Sequence, residues 1–108
     1  MQLSDLLDQH CTPKAKALPG EDTAALLKLL PDWDIVGIEL IRVAQFKNYY
    51  ETMAFVNALA FIAHAEDHHP DLGVHYNRCE VRWSTHDAGG LTLNDFICAA
   101  RTQRLLTR

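Results

Sequence analysis

Cys79-Glu80-Val81-Arg82-Trp83-Ser84-Thr85 is the stretch on which the fold turns. Its apolar members, Cys79, Val81 and Trp83, alternate with Glu80, Arg82 and Ser84, a period of two that sends one set to a core and the other to solvent. That is the pattern of a half-buried strand. Residues 71–76 form a second short run before it, and Asn77 and Arg78 between the two read as a turn, so a hairpin is expected. After the strand come Ala88-Gly89-Gly90, a flexible break, and then Thr92, which begins a helix to about Arg104. Thr92-x-x-Asp95 is a capping box with a shorter acid than usual, and Leu93, Phe96, Ile97 and Ala100 supply the buried face of that helix.

Upstream, Asn48 to His64 is helical by its length, its alanines and its lack of Gly and Pro. So few of its positions are polar that the apolar surface wraps beyond one stripe, and such a helix needs two partners. The sheet is one. The other is expected to be the same helix of a second subunit, with cover by the short first helix as the alternative. From Asp34 to Phe46, Ile and Val enrichment with a turn at Gly37 predicts another hairpin. Asp22 or Thr23 is expected to cap a short helix over Ala24 to Leu30, ended by Pro31. Residues 1–20 hold Pro13, Pro19 and Gly20 and read as a weakly ordered leader that adds little core. The whole, 1–108, is expected to be one α+β domain of order α-β-β-α-β-β-α. Its helices should lie on one face of a four-stranded, antiparallel-rich sheet.

Composition narrows the function. The chain has 108 residues, 48% hydrophobic and 22% charged, which suits one soluble domain. No apolar run reaches the roughly 18 residues of a membrane span, so no membrane partner is expected. Ten basic against fourteen acidic side chains leave a net charge of -4. Without a basic stripe to release counterions, a nucleic-acid partner is not expected either. Met1 to His10 carries Asp5 and Asp8 rather than a basic start and an apolar block, unlike a secretory signal. Cys11, Cys79 and Cys98 are odd in number and form no CxxC pair, which fits reduced thiols in the cytoplasm.

Histidine is the anomaly, since five of the six (His64, His68, His69, His75 and His86) fall within 23 positions. His64 and His68, four apart, share one side of the long helix if it persists that far. His69 precedes Pro70, which pushes its backbone towards extended and aims its ring elsewhere. His86 ends the alternating strand, and the helix end and sheet together bring His68, His69 and His86 to one cleft. Three readings follow. Solvated or helix-terminating histidines are favourable near the negative end of a helix dipole. Three imidazoles from His64, His68 and His86 suit zinc with an open position, although His-Ala-Glu-Asp-His is not the His-Glu-x-x-His of metalloproteases. Metal-free acid and base chemistry suits imidazole, whose ordinary pKa lies near neutrality.

These residues also carry a resemblance. His64-x-x-x-His68-His69-Pro70 is followed by Tyr76, by His86 with nine residues between, and by Asp95 with eight more between. That ordered set resembles the signature of the pterin-4a-carbinolamine dehydratases. Ser84-Thr85-His86-Asp87, Gly89-Gly90-Leu91-Thr92, Asp67, Trp33 and Phe46-Lys47-Asn48-Tyr49 extend it, over about residues 22–107. The leader matches weakly.

The resemblance implies dehydration of 4a-hydroxytetrahydrobiopterin, the product of aromatic amino-acid hydroxylases, to quinonoid dihydrobiopterin, with no metal and no redox cofactor. It implies His68 and His86 as general acids beside the leaving hydroxyl, and His69 as a catalytic-site residue that chiefly binds and orients the pterin. Pro70 would shape the wall, Trp33 would cover the ring, and Asp67 would join the substrate site. Asp95 and His64 would stand behind the imidazoles. Each has a plainer reading: Trp33 as core, Asp95 as a helix cap, and Asp67, Glu66 and Asp87 as solvated helix-end or turn residues. Position 64 is often Glu in relatives, and the first hairpin around Val36 to Glu39 looks shorter than in many. Relatives assemble as dimers through their sheets and as tetramers through the long helix. The family also includes interaction proteins: a dimerisation cofactor of a homeodomain transcription factor and degenerate relatives that assist carbon-fixation enzymes. An oligomeric assembly or coactivator role is therefore the rival expectation.

Overall fold

Two hairpins build the sheet in the computed structural model, which describes residues 1–107. Strands β1 (Asp34–Val36) and β2 (Glu39–Gln45) turn at Gly37, whose φ of +61° is the left-handed conformation that favours glycine. Strands β3 (Asp71–Val74) and β4 (Arg78–Trp83) form the second hairpin. Val74 faces Cys79, and the His75 N–H donates to the Arg78 carbonyl at 2.9 Å, so Tyr76 and Asn77 occupy the tip, one residue earlier than expected. The order is β1-β2-β4-β3, antiparallel throughout. Leu40 opposite Trp83, and Ala44 opposite Cys79, join the hairpins on the buried face. Cys79, Val81 and Trp83 are all buried, as their period requires. Ser84, beyond the end of β4, is buried too, against the expectation that it faces solvent.

The helices are α1 (Leu3–Leu7), α2 (Gly20–Leu27), α3 (Tyr49–Glu66) and α4 (Leu93–Leu106). Helices α3 and α4 supply Phe55, Leu59, Phe96, Ile97 and Ala100 to the core beneath the sheet. Asn48 caps α3 by accepting the Glu51 N–H at 2.9 Å. Asp95 fulfils the acid half of the expected box on α4, accepting the Thr92 N–H at 2.9 Å. Helix α2 begins earlier than expected, after Pro19, because Gly20 to Asp22 already form its first turn; the Thr23 hydroxyl donates back to the Gly20 carbonyl instead of capping.

Two expectations are corrected. The leader does add core: Leu6 is fully buried, and Leu3, Leu7, Cys11 and Leu18 pack against it. Leucines at i, i+3 and i+4 give even a five-residue helix an apolar face, and α4 receives it. Nor does a helix of this chain cover the second face of α3, where Tyr50 is 84% and Phe61 74% exposed. The three cysteines are free thiols, and no helix among the described residues is long and apolar enough to cross a membrane.

Candidate active site

The site begins where α3 stops. Asp67 takes a left-handed conformation (φ +50°, ψ +43°), its N–H reaches the His64 carbonyl at 3.3 Å, and the His68 N–H reaches the Ala63 carbonyl at 3.1 Å. This is a Schellman termination with aspartate in the place glycine usually holds, a substitution its short polar side chain tolerates. The chain leaves the helix sharply at that point. His68 and His69 therefore lie beyond α3 and share no helical face with His64, which is the physical reason the expected His64–His68 pairing fails.

His68 is held on two sides. Its ring stacks on Trp83, with centroids 5.6 Å apart and planes inclined by 12°. Its Nε2 lies 2.7 Å from Asp95 Oδ1, while Asp95 Oδ2 accepts the Thr85 hydroxyl at 2.8 Å and the Thr92 N–H at 2.9 Å. Asp95 is fully buried, yet all its strong contacts are met. The carboxylate thereby fixes the imidazole's orientation, leaves Nδ1 as the ring atom without a partner among the described residues, and provides a counter-charge when the ring holds a proton. The His68 side chain is only 13% exposed.

After β4 the chain passes Ser84 and Thr85 into a single 3-10 turn, His86–Ala88, closed by Gly89 at φ +71°. His86 stands in that turn, just past the end of the strand; its Nε2 is 3.2 Å from Ser84 Oγ. His68, His69 and His86 line one cleft of about 270 Å³, together with Asp67, Asp71, Ser84, Thr85 and Asp87. A site walled by three imidazoles and bordered by carboxylates can hold a small polar heterocycle and pass protons to and from it.

The other expected residues fall elsewhere. Trp33 is buried in the core with its indole N–H donated to Gln103 Oε1 at 3.0 Å, so its expected place over a bound ring is corrected to its plainer reading. Pro70 does not line the cleft but follows it into β3. His64 is exposed in the last turn of α3 and lines no part of the cleft. His75 is exposed beside Glu80, 3.9 Å away. The three-histidine zinc arrangement does not form, and among the described residues no group of three His, Cys, Asp or Glu is placed to hold a metal ion.

Sequence reasoning missed Thr85 as a partner of Asp95, Ser84 as a partner of His86, Trp83 as the platform under His68, and the leader. Ser84 and Thr85 belonged to the quoted motif, but nothing in their spacing assigned them a contact. Glu66, expected at a solvated helix end, has a side chain only 5% exposed. Burial works against its charge, but the Cys11 N–H at 2.7 Å, His10 and Arg101 outweigh it and hold the carboxyl below its ordinary range. Neither buried thiol is a candidate nucleophile. Burial and then Glu80 push Cys79 up; a hydrogen bond with Cys11, 3.5 Å away, and burial push Cys98 up.

Residues 16–105 match the family model described as pterin 4 alpha carbinolamine dehydratase. A protein of Chromobacterium violaceum, provisionally named pterin-4-alpha-carbinolamine dehydratase, is 62% identical over 106 residues, taking in 96% of this chain and 98% of that one. A protein of the same provisional name from Stenotrophomonas maltophilia is 56% identical over 108 residues, covering 95% and 93%. The crystal structure of a transcriptional coactivator/pterin dehydratase from Brucella melitensis superposes with a TM-score of 0.81 at 27% identity, over 84% of this chain and 99% of that one. The family model spans most of the chain and the sequence relatives match it almost end to end, so the chain belongs to the pterin-4-alpha-carbinolamine dehydratase family.

Proposed function

We propose that this protein is a hydro-lyase that converts 4a-hydroxytetrahydrobiopterin to quinonoid dihydrobiopterin. In the cytoplasm it would return the pterin to an aromatic amino-acid hydroxylase. The observation that carries the reading is the convergence of His68, His69 and His86 on one cleft, with His68 braced by a buried carboxylate. The chemistry needs a proton delivered to the C4a hydroxyl, because hydroxide is a poor leaving group. The C4a–O bond then breaks, a ring nitrogen donates its electron pair to C4a, and that nitrogen's proton is lost. Water is the by-product. No electrons pass to a second molecule, so positioned imidazoles are sufficient catalysts, contributing on the order of 10² to 10⁴ in rate.

His68 and His86 act as acid and base on either side of the hydroxyl, and His69 orients the ring beside Asp67. The test is an absorbance assay on enzymatically generated carbinolamine, run with and without a chelator. Turnover that survives chelation is expected. His68→Ala or His86→Ala should lower the rate by a factor on the order of 10 to 1,000 with the fold kept. Undiminished turnover in the double variant would sink the proposal.

A second copy of the chain is the partner we propose for α3. Tyr50, Ala54, Asn57 and Phe61 fall at i, i+4, i+7 and i+11 and are all exposed, a stripe suited to helix–helix packing. The Brucella melitensis relative is described both as a coactivator and as a pterin dehydratase. An interaction role through this same stripe is thus the second reading here, compatible with catalysis in the cleft.

A further inference from the structure

A second cavity, about 550 Å³, adjoins the imidazole cleft, and the two meet at Asp67, His68, Thr85 and Asp87. Its far wall is the leader, residues 12–17. We propose that this wall receives the substituent carried by the pterin ring, and that Lys14 and Lys16 select substituents ending in an anionic group, a phosphate or a carboxylate. The inference rests on the pterin reading above and extends it to the substrate class.

The wall is built and not a passing loop. The buried Asn94 side chain accepts the Thr12 N–H at 3.0 Å and donates to the Thr12 carbonyl at 2.8 Å. Six residues on, the Leu18 N–H donates to the Leu91 carbonyl at 2.8 Å. Ala17 packs so closely on Gly90 that a Cβ there would lie 3.2 Å from its own. Between these anchors Lys14 sits at φ +58°, a conformation that long side chains seldom adopt, held by both ends of the segment.

The charges are sorted by position. Asp67 and Asp87 stand at the junction of the two spaces, whereas Lys14 and Lys16 belong to the outer cavity alone. Asn94 and the Thr12 backbone satisfy each other, and Lys14 and Lys16 are the cationic residues that line this cavity. A ring seated among the imidazoles therefore sends a substituent past the carboxylates towards lysines. A neutral chain gains nothing from them, while a terminal anion gains two ion pairs.

Calorimetric titration of the full chain with three unreactive pterins tests this directly. The probes are biopterin, whose chain is neutral, folic acid, whose tail ends in carboxylates, and the phosphate monoester of a trihydroxypropyl pterin. Two exposed ion pairs predict that one or both anionic probes bind about three- to tenfold more tightly than biopterin. Whichever gains more identifies the source of the anion. The advantage should shrink in about 0.5 M salt, where exposed charges are screened. It should vanish in the Lys14→Gln, Lys16→Gln double variant. Equal affinity for all three probes, or a preference that persists in the double variant or at high salt, overturns the inference. Either result leaves the dehydration assay to stand or fall separately.

Discussion

Asp95 is the residue on which the cleft depends without forming part of it. A buried carboxylate shared by an imidazole, a hydroxyl and a helix-capping amide must satisfy all three at once, and its position in the first turn of α4 makes that possible. Asparagine at 95 keeps the shape and can still accept one of these bonds, but it presents no negative charge to His68. Asp95→Asn is therefore expected to lower kcat on the order of 10- to 100-fold and to change the pH profile of kcat, while thermal unfolding stays close to wild type. Wild-type kcat with an unaltered profile would show that the carboxylate serves only as a cap. The two halves of this role were expected on different grounds. Thr92-x-x-Asp95 announced the cap by spacing alone, whereas a place behind the imidazoles came only from the family resemblance, because the contact to His68, 27 positions earlier, exists only once the second hairpin has folded back across α4.

At the scale of elements, the junction between leader and α3 is closed by charged groups. Glu66 joins Cys11, His10 and the nearby Arg101 of α4. Because the folded carboxyl lies below its ordinary 4.5, the unfolded chain takes up this proton first as pH falls. The stabilisation is then complete above about pH 4.5 and is lost as pH drops through the folded value. In urea unfolding the wild type should exceed Glu66→Gln most at neutral pH, and the gap should narrow steadily below about pH 4.5. A gap independent of pH would remove the charge from the explanation. This junction escaped the sequence, while both hairpins and both long helices did not. Strand β4 and helix α3 declare themselves by local periodicity over many residues. The leader's worth lies in contacts to α3 and α4 more than fifty positions away, and its Pro and Gly advertise only local irregularity. His64 and Trp33 failed for a related reason. A left-handed Asp67 ended the helix one step too soon for the first, and Gln103 claimed the second for the core.

For the molecule as a whole, the proposed self-association rests on the exposed stripe of α3. Phe61 at 74% exposure, in line with Tyr50, is costly to leave in water and inexpensive to bury against its own copy. Phe61→Asp is expected to shift the sedimentation of dilute protein from an oligomer towards a smaller species while the far-ultraviolet spectrum is retained. Wild-type protein that sediments as a clean monomer would remove the proposed self-association. The Thr12–Asn94 clasp has a different consequence, for biosynthesis. It joins positions 82 apart, so a chain still emerging from the ribosome cannot close the cavity beside the imidazole cleft until the last helix is free. Truncated translation products would lack the enclosure altogether, however well their hairpins had formed.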